Sequence, residues 1–280
     1  AEFSPSTIHK FIKKQLASKS DNDFEVMIVD EASMIDANLM LELLETVPDG
    51  ASLIFIGDVD QLPPVGPGQP FKDIIESQTV SVSRLTGNFR QASFSDTVKA
   101  ARGVIKGQMP TLTNSLPKSD FIFIECEAGA QAETVLNLYF DLMPAKLSVE
   151  PQDIQILSPQ RPGEVGVFRL NELIQQRLTA RSKTLFQKKS GAQEVNFYVG
   201  DKVIQRKNNY ELSVMNGDQG IITRLSGKDV MVEFNGEEVA YDGKQRFDLD
   251  LAYATTVHSS QGSEYPGVIV PIVSSHSHML

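Results

Sequence analysis

The sequence of 280 residues has little cysteine and no long apolar segment. Its single cysteine, Cys126, excludes an internal disulfide framework and indicates a reducing compartment, by default the cytoplasm. The apolar runs stay well below the ~18 residues of a membrane-crossing helix, and no signal peptide is evident, so no membrane partner is expected. A net charge of −10 argues against a surface that binds nucleic acid everywhere, although it allows a local groove.

Two apolar runs are each followed directly by carboxylates, and these two motifs are the strongest indication of function in the sequence. Residues 24–29 lead directly into Asp30-Glu31, and residues 52–57 lead into Asp58-Val59-Asp60-Gln61. In open α/β sheets, ligands bind at the carboxyl ends of the strands. A strand that ends in Asp-Glu is how P-loop ATPases place a magnesium ligand beside a water-activating carboxylate. The pair of runs therefore predicts a nucleotide-driven α/β protein.

The phosphate-binding loop that should accompany these strands is absent. Gly-x-x-x-x-Gly-Lys-Ser/Thr occurs nowhere, and Gly66-Pro67-Gly68 is too short, too proline-rich and placed after the second acidic strand. Such a loop normally precedes the Asp-Glu strand by one or more strand–helix units. Either this chain begins after its P-loop or it is a degenerate ATPase. The retained acidic motifs favour the first interpretation.

The rest of the chain predicts an α/β alternation that a β-rich segment interrupts. Apolar periodicity predicts helices over 38–45, 94–106, 130–142 and 166–178, and strands over 80–85, 121–124 and 154–157. Between about residues 200 and 247, short β runs are separated by Asn216-Gly217, Ser226-Gly227, Asn235-Gly236 and Asp242-Gly243. Such pairs are hairpin signals, and their regular spacing indicates a small barrel.

Three further segments contain candidate ligand-binding residues. Arg90 could stabilise charge on a transferred phosphate, or be an ordinary surface arginine. Ser158-Pro159-Gln160-Arg161 follows a buried strand, at the ligand-facing edge. Residues 251–264 form the densest polar cluster, which suits phosphate contacts on a nucleic-acid strand but is also typical of a capping turn. Basic residues form local clusters that are either solvated faces or parts of a DNA groove. They are Lys10, Lys13, Lys14, Arg177, Arg181, Lys183, Lys188, Lys189, Lys202, Arg206 and Lys207.

In their order and spacing these motifs resemble the RecD-like branch of the superfamily 1 helicases, which contains exodeoxyribonuclease V alpha subunits and their standalone relatives. The resemblance is carried by residues 6–9, 30–34, 57–65, 89–91, 216–218 and 252–264. It implies ATP-driven 5′-to-3′ translocation along single-stranded DNA and duplex unwinding in recombination and repair. The implied cofactors are ATP and Mg²⁺, and the implied partners are single-stranded DNA and, in a complex, RecB- and RecC-like nuclease subunits.

The resemblance also implies the domain organisation. It predicts an α/β fold of two RecA-like (P-loop NTPase) lobes, the first incomplete, with a small SH3-like β-barrel insert. The predicted limits are 1–85 for the partial first lobe, 86–199 and 248–280 for the second lobe, and 200–247 for the insert. Because the P-loop and the family's final arginine motif are missing from this sequence, we expect the chain alone neither to hydrolyse ATP nor to unwind DNA.

Residue roles follow from the resemblance. Asp30 would hold magnesium, Glu31 would orient and deprotonate the attacking water, Gln61 would sense the γ-phosphate, and Arg90 would reach that phosphate from the second lobe. Residues implied near the nucleotide are Asp58, Gly262 and Glu264, and those implied to contact DNA are Thr7, His9, Thr256, His258 and Ser259. Two other classes stay open: a nucleotide switch that ignores DNA, and a non-catalytic interaction module of a nuclease–helicase complex.

Overall fold

The computed structural model describes residues 5–17, 24–85, 95–112, 119–179, 184–190 and 193–279. These residues form two compact units, one within residues 1–124 and the other within residues 125–280. The lobe division at residue 85 and the insert limits stay predictions. In the part of the chain that the structure describes, no helix combines the length and apolarity needed to span a bilayer.

The first unit is a small parallel sheet with helices. Its elements are α1 (Ile8–Ala17), β1 (Val26–Val29), a 3₁₀ turn (Ala32–Met34), α2 (Ala37–Leu44), β2 (Ser52–Phe55), α3 (Pro70–Ser77) and α4 (Asp96–Ile105). The two strands pair in parallel, with Val29 opposite Phe55. Asp36 starts α2 because its carboxylate accepts a hydrogen bond of 2.8 Å from the Leu39 N–H.

The two faces of this sheet differ in burial. On one face Met27, Val29 and Phe55 belong to a core that also contains side chains of the surrounding helices. On the other face Val26, Ile28, Ile54 and Ile56 are 46–52% exposed. Apolar runs without polar alternation are typical of parallel strands that are covered on both faces. The described residues of this unit cover only one.

The second unit combines a parallel sheet with an antiparallel one. It opens with α5 (Gln131–Asn137), a π-helical turn (Leu138–Leu142) and α6 (Met143–Leu147), followed by β3 (Ile154–Ser158) and α7 (Val167–Thr179). A hairpin of β4 (Phe186–Ser190) and β5 (Gln193–Phe197) follows. The parallel sheet has the order β11-β3-β12, in which β11 is Ala254–Thr256 and β12 is Gly267–Ile269.

A five-stranded antiparallel sheet forms in the region where the sequence predicts a small barrel. Its strands are β6 (Lys202–Gln205), β7 (Gln219–Ser226), β8 (Asp229–Phe234), β9 (Glu237–Tyr241) and β10 (Leu249–Leu251), in the order β10-β6-β7-β8-β9. Asn235 (φ 50°) and Gly236 (φ 88°) join β8 to β9 in the left-handed conformation that a tight hairpin requires. Residues of this sheet and of the parallel sheet contribute to a single hydrophobic core.

Two predicted strands are wrong. Residues 80–85 and 121–124 are irregular, and neither segment pairs with a strand in the described part of the chain. An apolar stretch becomes a strand only when a neighbouring strand supplies its ladder of hydrogen bonds. The helices predicted over 38–45, 94–106 and 166–178 and the strand over 154–157 are confirmed within about two residues. The helix predicted over 130–142 begins as expected but continues through the π-helical turn into α6 and ends at Leu147.

Candidate functional site

Asp30, Glu31, Asp58 and Gln61 form one acidic edge at the carboxyl ends of β1 and β2. Beyond the last strand pair, the Ile56 N–H donates to the Val29 carbonyl and the Ala32 N–H donates to the Ile56 carbonyl, each at 2.8 Å. These two bonds hold the start of the 3₁₀ turn beside the loop that follows β2. All four side chains are exposed. The structure therefore brings four predicted site residues together within the first unit.

Glu31 has an unusual backbone conformation. Its φ of 52° and ψ of 39° lie in the left-handed region, and its N–H donates to Asp30 Oδ1 at 2.9 Å. A residue with a Cβ pays about 1–2 kcal/mol for this conformation, and glutamate is not among the residue types that tolerate it best. Backbone strain of this kind concentrates at functional sites, where the surrounding structure enforces it. Among the described residues, four other non-glycine residues also have a positive φ, so the conformation agrees with the predicted catalytic role of Glu31 but does not single it out.

The loop after β2 is fixed by close backbone approaches. A Cβ on Gly57 would lie 2.9 Å from the Ser33 nitrogen, so only glycine lets the two acidic loops come this close. Asp58 then organises a turn, because its Oδ1 accepts the Asp60 N–H at 3.0 Å and its carbonyl accepts the Gln61 N–H at 3.3 Å. Gln61 therefore sits on an ordered turn.

The acidic edge suits magnesium that is bound together with phosphate oxygens. Among the described residues, no group of three or more His, Cys, Asp or Glu side chains is arranged to hold a metal ion. Mg²⁺ usually takes one or two carboxylates and completes its octahedron with water and substrate phosphates. The exposed carboxylates of Asp30 and Asp58 fit that mode and do not form a cage of protein ligands alone.

The other site residues predicted in the first part of the chain are Thr7, His9 and Arg90. Thr7 begins α1, because its Oγ1 accepts the Lys10 N–H at 3.3 Å and its carbonyl accepts the Phe11 N–H at 2.9 Å. His9 is exposed on the first turn of that helix. Arg90 lies outside the described residues.

In the second unit, the predicted DNA-contacting residues lie at the end of β11 and in the tight 3₁₀ turn (Val257–Ser260) that follows it. Thr256 Oγ1 accepts the Ser259 N–H at 3.3 Å and lies 2.8 Å from Ser259 Oγ, so these hydroxyls cap the turn. His258 and Glu264 are exposed, and Gly262 has a φ of 77°. Arg206, just beyond β6, donates from Nη1 to Ser259 Oγ at 3.5 Å. The capping interpretation is confirmed, and it leaves the DNA-contact interpretation open.

A buried polar network holds the segment that carries these residues. Asn171 of α7 donates to the Ala254 carbonyl at 2.8 Å and accepts the Ala254 N–H at 2.9 Å. Gln155 of β3 donates to the Ala252 carbonyl at 3.2 Å, and Lys202 Nζ donates to Gln155 Oε1 at 3.1 Å. The sequence prediction missed this network. The available signal was an amide, Gln155, inside an otherwise apolar strand.

Asp201 is the centre of a second set of buried hydrogen bonds. Its carboxylate accepts from Tyr253 Oη at 2.9 Å, from Gln175 Nε2 at 2.7 Å and from the Tyr198 N–H at 2.8 Å. Burial raises the pKa of Asp201 to about 6, although these hydrogen bonds oppose the shift. Burial also lowers the pKa of the neighbouring Lys202 ammonium to about 8. Burial thus shifts both pKa values in the direction that favours the neutral form of each side chain.

The raised pKa of Asp201 predicts a pH-dependent contribution to stability. A carboxyl group whose folded-state pKa exceeds its ordinary value near 3.8 stabilises the fold at low pH, and that contribution is lost as the pH rises through about 6. In urea unfolding, the stability difference between the wild type and Asp201→Asn should therefore shift against the wild type by about 1–2 kcal/mol between about pH 5 and pH 7.5. Asp141→Asn, an exposed carboxylate of the same unit, is the matched control. A difference that does not vary with pH would contradict the assignment.

Three known family models match parts of this chain. The model of an AAA domain matches residues 1–124, that of an "ATP-dependent RecD-like DNA helicase SH3 domain" matches residues 170–234, and that of a "UvrD-like helicase C-terminal domain" matches residues 251–280. The acidic edge lies in the first match. The tight turn after β11 lies in the third.

Similar proteins include two named bacterial relatives. The ATP-dependent RecD2 DNA helicase of Deinococcus radiodurans is 34% identical over 260 residues, which cover 92% of this chain and 34% of the relative. The RecBCD enzyme subunit RecD of Mycobacterium tuberculosis is 25% identical over 300 residues, covering 98% and 50%. The chain therefore spans between about a third and a half of the length of these relatives.

Solved helicase structures share the fold. A Pif1 helicase from Bacteroides, in complex with ADP-AlF3 and ssDNA, superposes with a TM-score of 0.56 at 17% identity and covers 98% of this chain and 68% of its own. Pif1 helicase from Candida albicans gives 0.55 at 19% identity, with 95% and 71% covered. Fold and acidic edge together define an α/β protein with a RecA-like (P-loop NTPase) fold. Within that class, the chain belongs to the RecD-like branch of superfamily 1.

Proposed function

We propose that this chain supplies catalytic and DNA-gripping residues of an ATP-dependent motor that moves 5′-to-3′ along single-stranded DNA in recombination and repair. The observation that carries the proposal is the acidic edge, where Glu31 is held in a strained left-handed conformation between Asp30 and the Gly57-Asp58 loop. Family membership adds the substrate class. The printed names of the relatives describe ATP-dependent DNA helicases and RecBCD subunits.

Each residue of the acidic edge would have a different role in ATP hydrolysis. Asp30 would hold Mg²⁺, which offsets negative charge on the transferred phosphoryl group when it is bound. Glu31 would orient the attacking water and accept its proton at a carboxylate oxygen. Gln61, on the turn organised by Asp58, would contact the terminal phosphate. Arg90 would add a guanidinium there.

The second unit would grip the strand through its backbone phosphates. Thr256, His258 and Ser259 offer hydroxyl and imidazole donors, and Thr7 and His9 would do the same from the first unit. Contacts of this kind hold any sequence, as a translocating motor requires. Gly262 and Glu264 would lie near the nucleotide, and RecB- and RecC-like subunits are candidate partners of a cytoplasmic complex. That the 280-residue chain is inactive on its own stays a prediction.

The test is steady-state ATP hydrolysis by the natural gene product that contains this chain, with and without single-stranded DNA, across a salt series. The proposal predicts strong stimulation by DNA of any sequence, and stimulation that weakens as salt rises because phosphate contacts release counterions. Hydrolysis that is indifferent to DNA would replace the motor with a nucleotide switch. Absence of hydrolysis would favour an interaction module.

A further inference from the structure

Two residues of the five-stranded antiparallel sheet hold Tyr265, which lies between the tight turn after β11 and β12. Gln219 of β7 donates from Nε2 to Tyr265 Oη at 2.9 Å. The Lys202 ammonium of β6 lies 5.8 Å from the centre of the Tyr265 ring. In the register of β6 and β7, Lys202 and Gln219 fall on the same face of the sheet, diagonal to each other. Tyr265 therefore joins this sheet to the segment that leads into the parallel sheet.

Both residues that hold Tyr265 are themselves fixed. Lys202 is only 6% exposed, and its ammonium donates to the Gln152 carbonyl at 2.8 Å and to Gln155 Oε1 at 3.1 Å. A cation within about 6 Å of a ring centroid attracts the ring, and the attraction grows when water is excluded. Gln219 lies opposite Ile204 in the β6–β7 ladder. Movement of either residue would break other hydrogen bonds of the unit, so Tyr265 is held by a fixed frame.

Tyr265 turns inward from a segment that is otherwise exposed. Residues 262–264 are exposed, whereas Tyr265 is partly buried. The Ser263 N–H donates to the Ser260 carbonyl at 3.0 Å, so a turn immediately precedes Glu264. Glu264 lies between this turn and the held tyrosine. The backbone on both sides of Glu264 is thus ordered, although its own side chain is exposed.

The hydroxyl and the ring of Tyr265 make different contacts. Burial of the ring and its attraction to the Lys202 ammonium hold the side chain with little directional preference. A hydrogen bond weakens steeply when its distance or angle changes, so the Gln219 amide fixes the position of Tyr265 Oη. Tyr265→Phe keeps the ring and removes only this hydrogen bond. The substitution therefore separates the position of the segment from its packing.

We propose that Tyr265 is a positioning residue through which the antiparallel sheet holds Glu264 at the nucleotide, so that the Gln219–Tyr265 hydrogen bond raises nucleotide affinity. This inference rests on the proposed function, which places Glu264 near the nucleotide. It assigns to the antiparallel sheet a role in nucleotide binding. It also explains why a tyrosine adjoins Glu264, since the phenol reaches an amide of another sheet.

The test is isothermal titration of the natural gene product with ADP and Mg²⁺ in the absence of DNA, together with kcat and the KM for ATP at saturating single-stranded DNA. Tyr265→Phe should raise the Kd for ADP and the KM for ATP by about 2- to 10-fold, as one lost hydrogen bond would. It should leave kcat within about twofold, because the hydrogen bond acts on binding. Gln219→Leu removes the same bond from the other side and should have the same effect.

Two further variants test whether Tyr265 acts through Glu264. Glu264→Gln should itself weaken ADP binding, and adding Tyr265→Phe to it should weaken binding no further, because the two residues act as a unit. Tyr210→Phe is the matched control. Tyr210 is 44% exposed and its Oη accepts a hydrogen bond of 3.4 Å from Asn208 Nδ2, so the control also removes an amide–phenol bond. It should keep the wild-type Kd for ADP.

The outcomes separate this inference from the proposed function. A wild-type Kd for ADP in both Tyr265→Phe and Gln219→Leu would overturn it, even if melting temperatures fall, because the bond would then be structural only. Equal weakening by Tyr265→Phe with and without Glu264→Gln would also overturn it. Failure of the wild type to bind ADP would overturn the inference and the proposed function together. Hydrolysis indifferent to DNA, with weaker ADP binding in Tyr265→Phe, would overturn the motor and support the positioning role.

Discussion

Replacing Glu31 with Gln should lower kcat for ATP hydrolysis by about 100- to 10,000-fold in the natural gene product that contains this chain. Glutamine keeps the size and hydrogen-bonding reach of the side chain, but it cannot accept a proton from the attacking water. The bond from the residue 31 N–H to Asp30 Oδ1 involves only the backbone of residue 31, so the substitution preserves it. Affinity for single-stranded DNA should stay within about twofold.

Glu45→Gln provides the matched control for this experiment. Glu45 is exposed at the carboxyl end of α2 in the same unit, and its substitution changes the net charge equally. Steady-state hydrolysis at saturating single-stranded DNA, with melting temperatures for all proteins, separates catalysis from folding. Retention of most activity in Glu31→Gln would remove Glu31 from the proposed catalytic role, whatever the control shows.

Replacing Asn171 with Leu should lower the free energy of unfolding of the second unit by about 3–5 kcal/mol. The Asn171 amide satisfies both the N–H and the carbonyl of Ala254, which is fully buried. Leucine has the same number of side-chain heavy atoms and the same branching at Cγ, so it leaves no cavity, and the loss would come mainly from two unsatisfied backbone groups at about 1–3 kcal/mol each. Because β11 runs from Ala254 to Thr256, affinity for single-stranded DNA should fall as well.

Gln176→Leu is the control for the Asn171 variant. Gln176 is exposed on the same helix, and its side-chain amide donates to Glu172 Oε1 at 3.2 Å. Urea unfolding monitored by circular dichroism should show a small change for Gln176→Leu and a large one for Asn171→Leu. A loss below about 1 kcal/mol in Asn171→Leu would mean that water or a shifted backbone satisfies Ala254.

Local patterns predicted those parts of the fold in which local and tertiary preferences agree. The Asn235-Gly236 pair requires two left-handed residues and therefore predicts the β8–β9 hairpin correctly. The acidic strand ends are predictable because parallel strands carry their carboxyl ends to one edge, which brings Asp30 and Asp58 together. The strand predictions for residues 80–85 and 121–124 failed because strand formation depends on a partner strand that a local apolar pattern does not reveal.

The buried polar network could not be predicted from single residues. Asp201-Lys202 looks like an exposed turn at the start of a strand, yet both residues are buried because α7 and β3 bring amides to them. Asn171 and Gln175, one helical turn apart, look like a solvated face of α7. The role of such residues depends on which elements pack together, and that information is distributed over the chain. The assignments of Asp30, Glu31, Gln61 and Arg90 remain predictions for experiment.

The account's central claim is ATP-driven movement along a DNA single strand, and the most direct measurement is unwinding of tailed duplexes by the natural gene product. Three substrates share one duplex and differ in carrying a 5′ tail, a 3′ tail or no tail. The account predicts ATP-dependent strand separation of the 5′-tailed substrate alone, abolished by Glu31→Gln. ATP hydrolysis stimulated by single-stranded DNA without separation of any of the three duplexes would contradict it.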